Sequence, residues 1–190
     1  MPGSGRRIRP RGWPRNLLRL SKVFPPLDFG PCSRSATALR TSPSPDQDGN
    51  EVTLSDLRGG TVVLYFYPRA DTPGCTTQAC GARDRRADYE AAGVRVIGVS
   101  PDDVDAIARF AGKHGLDFTL LADADHAVAD AYGTWVEKRG YGRTYWGVQR
   151  ATFIIDPAGR IAHVIEKASP KTHDDDVLAA LAELGQVTET

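Results

Sequence analysis

Apolar and polar positions fall in blocks along most of this 190-residue chain, and the blocks predict strands and helices in turn. Residues 61–67 form a nearly unbroken apolar run rich in β-branched and aromatic side chains, the pattern of a buried strand. Pro68 and the Thr72-Pro73-Gly74 cluster then break the strand and predict a turn. A polar, helix-compatible segment follows from Cys75 to Ala92, with Gly93 as its stop, and residues 94–99 read as a second core strand. Ser100-Pro101-Asp102-Asp103 has the chemistry of a helix start, and Val104, Ile107, Ala108 and Ala111 supply a helical apolar stripe. Residues 119–121 predict a third short strand, and 128–132 a short helix. The stretch 137–147, glycine-rich and bearing Tyr141, Tyr145 and Trp146, reads as a loop. Residues 150–155 and 161–165 flank the turn Asp156-Pro157-Ala158-Gly159 and predict an antiparallel hairpin. Val177, Leu178, Leu181 and Leu184 mark the inner face of a closing helix. Near the start of this regular part, Asp48-Gly49-Asn50 predicts a hairpin turn leading into residues 52–54. Strands alternating with helices, then a hairpin and a helix, indicate an α/β domain: a mixed β-sheet flanked by helices.

Composition divides the chain in two. Residues 1–45 carry nine of the 24 Lys and Arg but a single acid, Asp28, with Pro and Gly scattered among the arginines and no persistent period. This segment is expected to be an atypical, disordered extension, and residues 46–190 the folded domain. From Asp46 onward 15 basic residues face 23 acidic ones. A domain this acidic argues against nucleic-acid binding and against an anionic membrane surface. No window approaches the ~20 apolar residues of a membrane span, and nothing has the apolar core of a secretory signal.

The chemistry concentrates where the first strand ends. A cysteine in the first turn of a helix meets unpaired backbone N–H groups and the positive end of the helix dipole, both of which favour a reactive thiolate. Cys75 occupies such a position, and Cys80 follows five residues later. In an intact helix those two Cα atoms stand ~8.6 Å apart, whereas a disulfide needs them within ~7 Å. A bond between them therefore requires the helix to unwind. Inert packing of the two thiols is the plainer alternative, and three cysteines are too few for a disulfide scaffold. His114, His126, His163 and His173 form no ligand pair at helical spacing, and Cys75-x4-Cys80 is not the spacing of a zinc site. No metal and no cofactor is expected. Gly140 and Gly142 do not make a nucleotide fingerprint.

The run Pro68-x-x-x-Thr72-x-x-Cys75, within residues 65–80, resembles the active-site motif of peroxiredoxins, and its surroundings resemble the bacterioferritin comigratory protein, or peroxiredoxin Q, subfamily. The resemblance extends from Asp46-Gln47-Asp48-Gly49 through residues 150–156 to the closing helix. It implies a thioredoxin-like fold of the peroxiredoxin type and a thiol peroxidase acting on hydroperoxides. It also implies roles: Cys75 as peroxidatic nucleophile, Cys80 as resolving thiol, Thr72 donating a hydroxyl to thiolate and peroxide, Arg150 supplying a fixed positive charge, and Pro68 shaping the pocket. Thioredoxin is the implied reductant, in a cytoplasmic protein, and a cysteine pair within one helix suits a monomer. Thr72 as a plain helix cap, Arg150 as a surface ion pair, and a non-catalytic peroxide-sensing switch that binds a partner protein stay open beside these roles.

The subfamily usually opens with a segment like G-D-x-A-P-D-F-T-L-P, which is absent before Asp46. Shifted by one base, and with wobble bases chosen freely, the codons of residues 36–45 spell G-D-R-A-P-D-F-T-L-P. Out-of-frame translation up to Pro45 is thus expected ahead of a transit peptide. Cys32 lies in that segment and is given no role.

Overall fold

The computed structural model describes residues 43–140 and 142–185. Residues 1–42, with Cys32, and Tyr141 lie outside this set, so most of the extension expected over 1–45 falls beyond description. Five strands make the central sheet: β3 (Thr61–Phe66), β4 (Val94–Ser100), β5 (Thr119–Ala122), β8 (Ala151–Ile155) and β9 (Ile161–Ile165). Their order is β5-β4-β3-β8-β9. β3 pairs parallel with β4 and β4 with β5, whereas β8 runs antiparallel to both β3 and β9, so the sheet is mixed as expected. Every residue of the central strand β3 is buried, which is why its sequence shows a continuous apolar run instead of alternation.

Two hairpins lie outside that sheet. β1 (Pro43–Pro45) pairs with β2 (Glu51–Thr53) across the Asp48-Gly49-Asn50 turn, so residues 43–45, expected within the extension, form a strand. Gln47 fastens this hairpin to the outer strand: its amide donates to Phe118 O (3.2 Å) and accepts from Leu120 N (2.8 Å). That covers an edge which would otherwise be open to pairing. The second hairpin corrects the sequence reading. Residues 137–147, taken as a loop, fold as β6 (Trp135–Gly140) against β7 (Arg143–Val148). Four successive positions of β7 are exposed, so the period-two signal of a half-buried strand never arises.

Among the described residues there are five α-helices, α1 (Pro73–Asp84), α2 (Arg86–Ala91), α3 (Val104–His114), α4 (Ala127–Ala131) and α5 (His173–Glu183), and a short 3-10 turn at Leu54–Leu57. The single helix expected over 75–92 is two, divided at Arg85, whose ψ of 13° leaves the helical range. α3 begins as its sequence indicates, with Asp103 accepting from Ala106 N at 2.7 Å. Side chains on one face of β3 (Val62, Leu64, Phe66) pack with Val128 and Ala129 of α4, with Tyr132 just after it, and with Phe153. On the other face, Tyr65 and Tyr67 pack with Cys75 and Ala79 of α1 and with Ile107 and Phe110 of α3. Val63 on that face packs with Tyr89, Val177 and Leu181 from α2 and α5.

Candidate active site

The site is built where β3 ends. Tyr67 continues the strand for one more bond, donating to Val99 O at 3.0 Å, and the chain then turns at Pro68. Residues 68–72 are tied to α3 and the turn before it. Ala70 N donates to Asp102 Oδ2 (2.7 Å), and the Asp71 carboxylate meets Lys113 Nζ (2.7 Å) and His114 Nε2 (2.9 Å). Those two hydrogen bonds, His114 first and Lys113 second, hold the exposed Asp71 carboxyl below its ordinary pKa. Asp71 has a φ of 56°, a conformation costly for a residue with a side chain, and its two partners fix it there.

Pro73 opens α1 and Cys75 is its third residue, 1% exposed and packed with Tyr65 and Tyr67. Arg150 arrives from the short link between β7 and β8. Its Nη2 donates to Cys75 Sγ at 3.2 Å, and its Nη1 donates to Gln78 Oε1. Gly74 lies against it: an added Cβ there would sit in ordinary contact, 3.5 Å from Arg150 Nη2 and 3.4 Å from Pro170 Cγ. A second cation stands nearby: Lys138 Nζ crosses the β6–β7 hairpin to Val148 O at 2.6 Å. Burial first, then repulsion from Arg150, lowers the pKa of Lys138, while negative charge at Cys75 works the other way.

Of the residues singled out from the sequence, Cys75 and Arg150 are in direct contact. Pro68 is half-buried at the turn, and Cys80 is half-buried farther along α1. Both thiols are free and lie on one unbroken helix. Thr72 was expected to hydrogen-bond the thiolate and the peroxide. It is the N-cap residue of α1, but its side chain makes no cap bond, and its Oγ1 donates its proton to Arg69 O at 3.0 Å. A hydroxyl has a single proton, so in this geometry Thr72 Oγ1 has lone pairs, not a donor, left for any other group. Gln78 was missed. It is fully buried three residues after Cys75, on the same side of α1, and orients Arg150 through one end of its amide. A polar residue one helical turn from a nucleophile was the available signal.

A mixed five-stranded sheet, with a buried cysteine opening a helix at the end of its central strand and a guanidinium on the sulfur, is a peroxiredoxin arrangement on a thioredoxin-like fold. The chain belongs to the AhpC/TSA family, whose model matches residues 35–164. Within that family it is similar to Peroxiredoxin Bcp of Escherichia coli K12, at 49% identity over 139 residues, spanning 73% of this chain and 89% of the relative. Among solved structures it resembles the bacterioferritin comigratory protein of Xanthomonas campestris, whose study concerns alkyl peroxide reduction. That likeness has a TM-score of 0.73 and 32% identity over 78% of this chain and 98% of that one. Peroxidoxin BcpB of Mycobacterium tuberculosis is also similar, with a TM-score of 0.69, 36% identity, and coverage of 79% and 97%. The chain is therefore a thiol peroxidase of the Bcp and peroxiredoxin Q kind.

Proposed function

We propose that this peroxidase works by a two-cysteine cycle carried by Cys75 and Cys80. The Cys75 thiolate attacks the hydroxyl-bearing oxygen of a hydroperoxide. The S–O bond forms as the O–O bond breaks, leaving Cys75 as a sulfenic acid and releasing an alkoxide, or hydroxide from hydrogen peroxide, which takes up a proton. Arg150 stabilises negative charge on the sulfur before attack and on the oxygens during it. Thr72 Oγ1, its own proton committed to Arg69 O, accepts the O–H of the peroxide and so aligns the oxygen to be attacked. Cys80 then attacks the sulfenic sulfur, the S–O bond breaks, and water leaves with the Cys80 proton. The disulfide is reduced by thiol–disulfide exchange with thioredoxin. Hydrogen peroxide and organic hydroperoxides are the substrates of this reading, and the protein acts as a cytoplasmic monomer.

The observation that carries the reading is the 3.2 Å bond from Arg150 to the Cys75 sulfur. A charge-assisted contact at a buried sulfur serves a thiolate far better than a spectator thiol. The test is NADPH oxidation in the presence of thioredoxin, thioredoxin reductase and a hydroperoxide. Sustained turnover is expected from the native chain and none from Cys75→Ser, whose hydroxyl cannot follow this oxidation path. Consumption of one equivalent followed by arrest would identify a peroxide-sensing switch instead.

A further inference from the structure

Three consecutive residues at the start of α5 reach three different parts of the fold. His173 Nε2 lies 2.9 Å from Thr152 Oγ1 on β8, and its ring centroid is 5.4 Å from that of Tyr65 on β3. The Asp174 carboxylate accepts the hydroxyl of Tyr89, on α2, at 2.9 Å. Asp175 pairs with Arg85, the residue between α1 and α2. His173 and Asp174 are buried, and polar groups that deep are tolerated where their bonds fix a particular geometry. What they fix shows at Gly81. A Cβ there would fall 2.2 Å from Asp174 Oδ2, so the carboxylate rests on the bare backbone of α1 one residue beyond Cys80.

The two halves of α1 are thus held by different means. Residues 73–80 are held by Arg150, through Cys75 Sγ and Gln78 Oε1. Conversion of the thiolate to a sulfenic acid removes the charge that Arg150 grips. The contact of Asp174 with Gly81 is untouched by that change.

We infer that Asp174 and Tyr89 are positioning residues that set where α1 comes apart when the disulfide forms: residues through Cys80 unwind, and Gly81 onward stays helical against α5. This inference rests on the roles proposed above for Cys75 and Cys80. The clamp keeps Cys80 at the end of a fixed stub while Cys75 is carried to it.

Amide hydrogen exchange on the full chain, reduced and oxidised, tests the boundary. A helical amide bonds the carbonyl four residues back, so unwinding through Cys80 exposes amides as far as Asp84. Arg85 N is bonded to Gly81 O at 3.0 Å, and the Asp88 and Tyr89 amides to Arg85 O. On oxidation of the native chain, amides 76–84 should lose at least ~10-fold in protection while Arg85, Asp88 and Tyr89 stay within ~2-fold. In Tyr89→Phe the oxidised form should lose protection at those three amides as well. Its reduced form should keep the native pattern, and its rate with peroxide should stay within ~2-fold. Gly81→Ala, which drives the carboxylate off the helix from the other side, should give the same redox-dependent loss. Equal loss in both redox states, or a native boundary that runs on through Tyr89, overturns the clamp. So does a boundary unmoved in both variants. Peptide mapping that finds no Cys75–Cys80 disulfide overturns the reading of the cysteines, and the clamp falls with it.

Discussion

The two faces of the central sheet are equally buried and differently made. On one, Val62, Leu64 and Phe66 meet Phe153, Ile155 and Tyr132 in an apolar layer, with the Phe66 and Phe153 rings edge to face at 5.7 Å. On the other, Val63, Tyr65 and Tyr67 share their space with Gln78, Thr152, His173 and Asp174, all of them buried. That second face also carries apolar clusters, but its polar groups either grip Arg150 or fasten α5 to β8 and α2. Deep burial is therefore not one property in this domain. The apolar face supplies stability by area removed from water. The polar face uses the low dielectric of the interior to make a few oriented bonds strong.

If that division is right, substitutions on the two faces should fail in opposite ways. Phe153→Ala empties a fully buried aromatic site and should cost about 3–5 kcal/mol in chemical denaturation. The molecules that remain folded should react with peroxide at close to the native rate, because Phe153 lies on the face away from Cys75. A large drop in that rate would show the two faces to be coupled and would break the comparison.

Arg150→Met should show the reverse profile. The half-buried guanidinium adds little apolar area, and the main loss is its bond to the buried Gln78 carbonyl, so stability should fall by about 1–3 kcal/mol, less than for Phe153→Ala. The second-order rate of Cys75 oxidation should fall by about 10²–10³, the usual loss when an oriented charge donor is removed from a reacting centre. Stopped-flow oxidation monitored beside a denaturation curve separates the two readouts. Thr72→Val should slow attack less than Arg150→Met, since the hydroxyl contributes an acceptor and no charge.

The apolar face was the more legible of the two in the sequence, for a physical reason. Burial on both sides of β3 and β8 forces continuous apolar runs, and such runs between turn residues can be read directly. The third strand, the stripe of α3 and the Asp156–Gly159 hairpin were legible for similar reasons. Cys75 came from its place in the first turn of a helix as well as from a motif, and the role of Arg150 came from the family resemblance alone, which carries roles across without their geometry. Pattern alone gave no hint that Asp174 is buried, because three successive aspartates at a helix start look like a solvated first turn. Nor could it show Thr72 turned towards Arg69 O, or the division at Arg85 in a segment polar throughout. The β6–β7 hairpin escaped because four successive side chains of β7 are exposed, and pairing of the backbone leaves no mark in composition.

The smallest expected effect lies at the margin of the apolar face, where Ser44 breaks its pattern. Ser44 is 5% exposed, although β1 reads Pro-Ser-Pro, a poor sequence for a strand because neither proline can donate to a ladder. It sits opposite Val52, and residues directly opposite in an antiparallel pair point to the same side. Val52 packs on the apolar cluster, so Ser44 shares a side of the pair with an apolar neighbour. We propose that the chain up to Pro45 is translated out of frame, since the shifted codons place leucine at this position and threonine at position 43. Ser44→Leu should then stabilise the protein by about 1 kcal/mol, less than full burial of a leucine because neighbouring side chains must adjust. It should leave the rate with peroxide unchanged. A lower melting temperature, the sign of overpacking, would show that this edge is adapted to serine. Resequencing of the gene across residues 36–46 provides the independent check, and a clean reading in the present frame would sink the proposal.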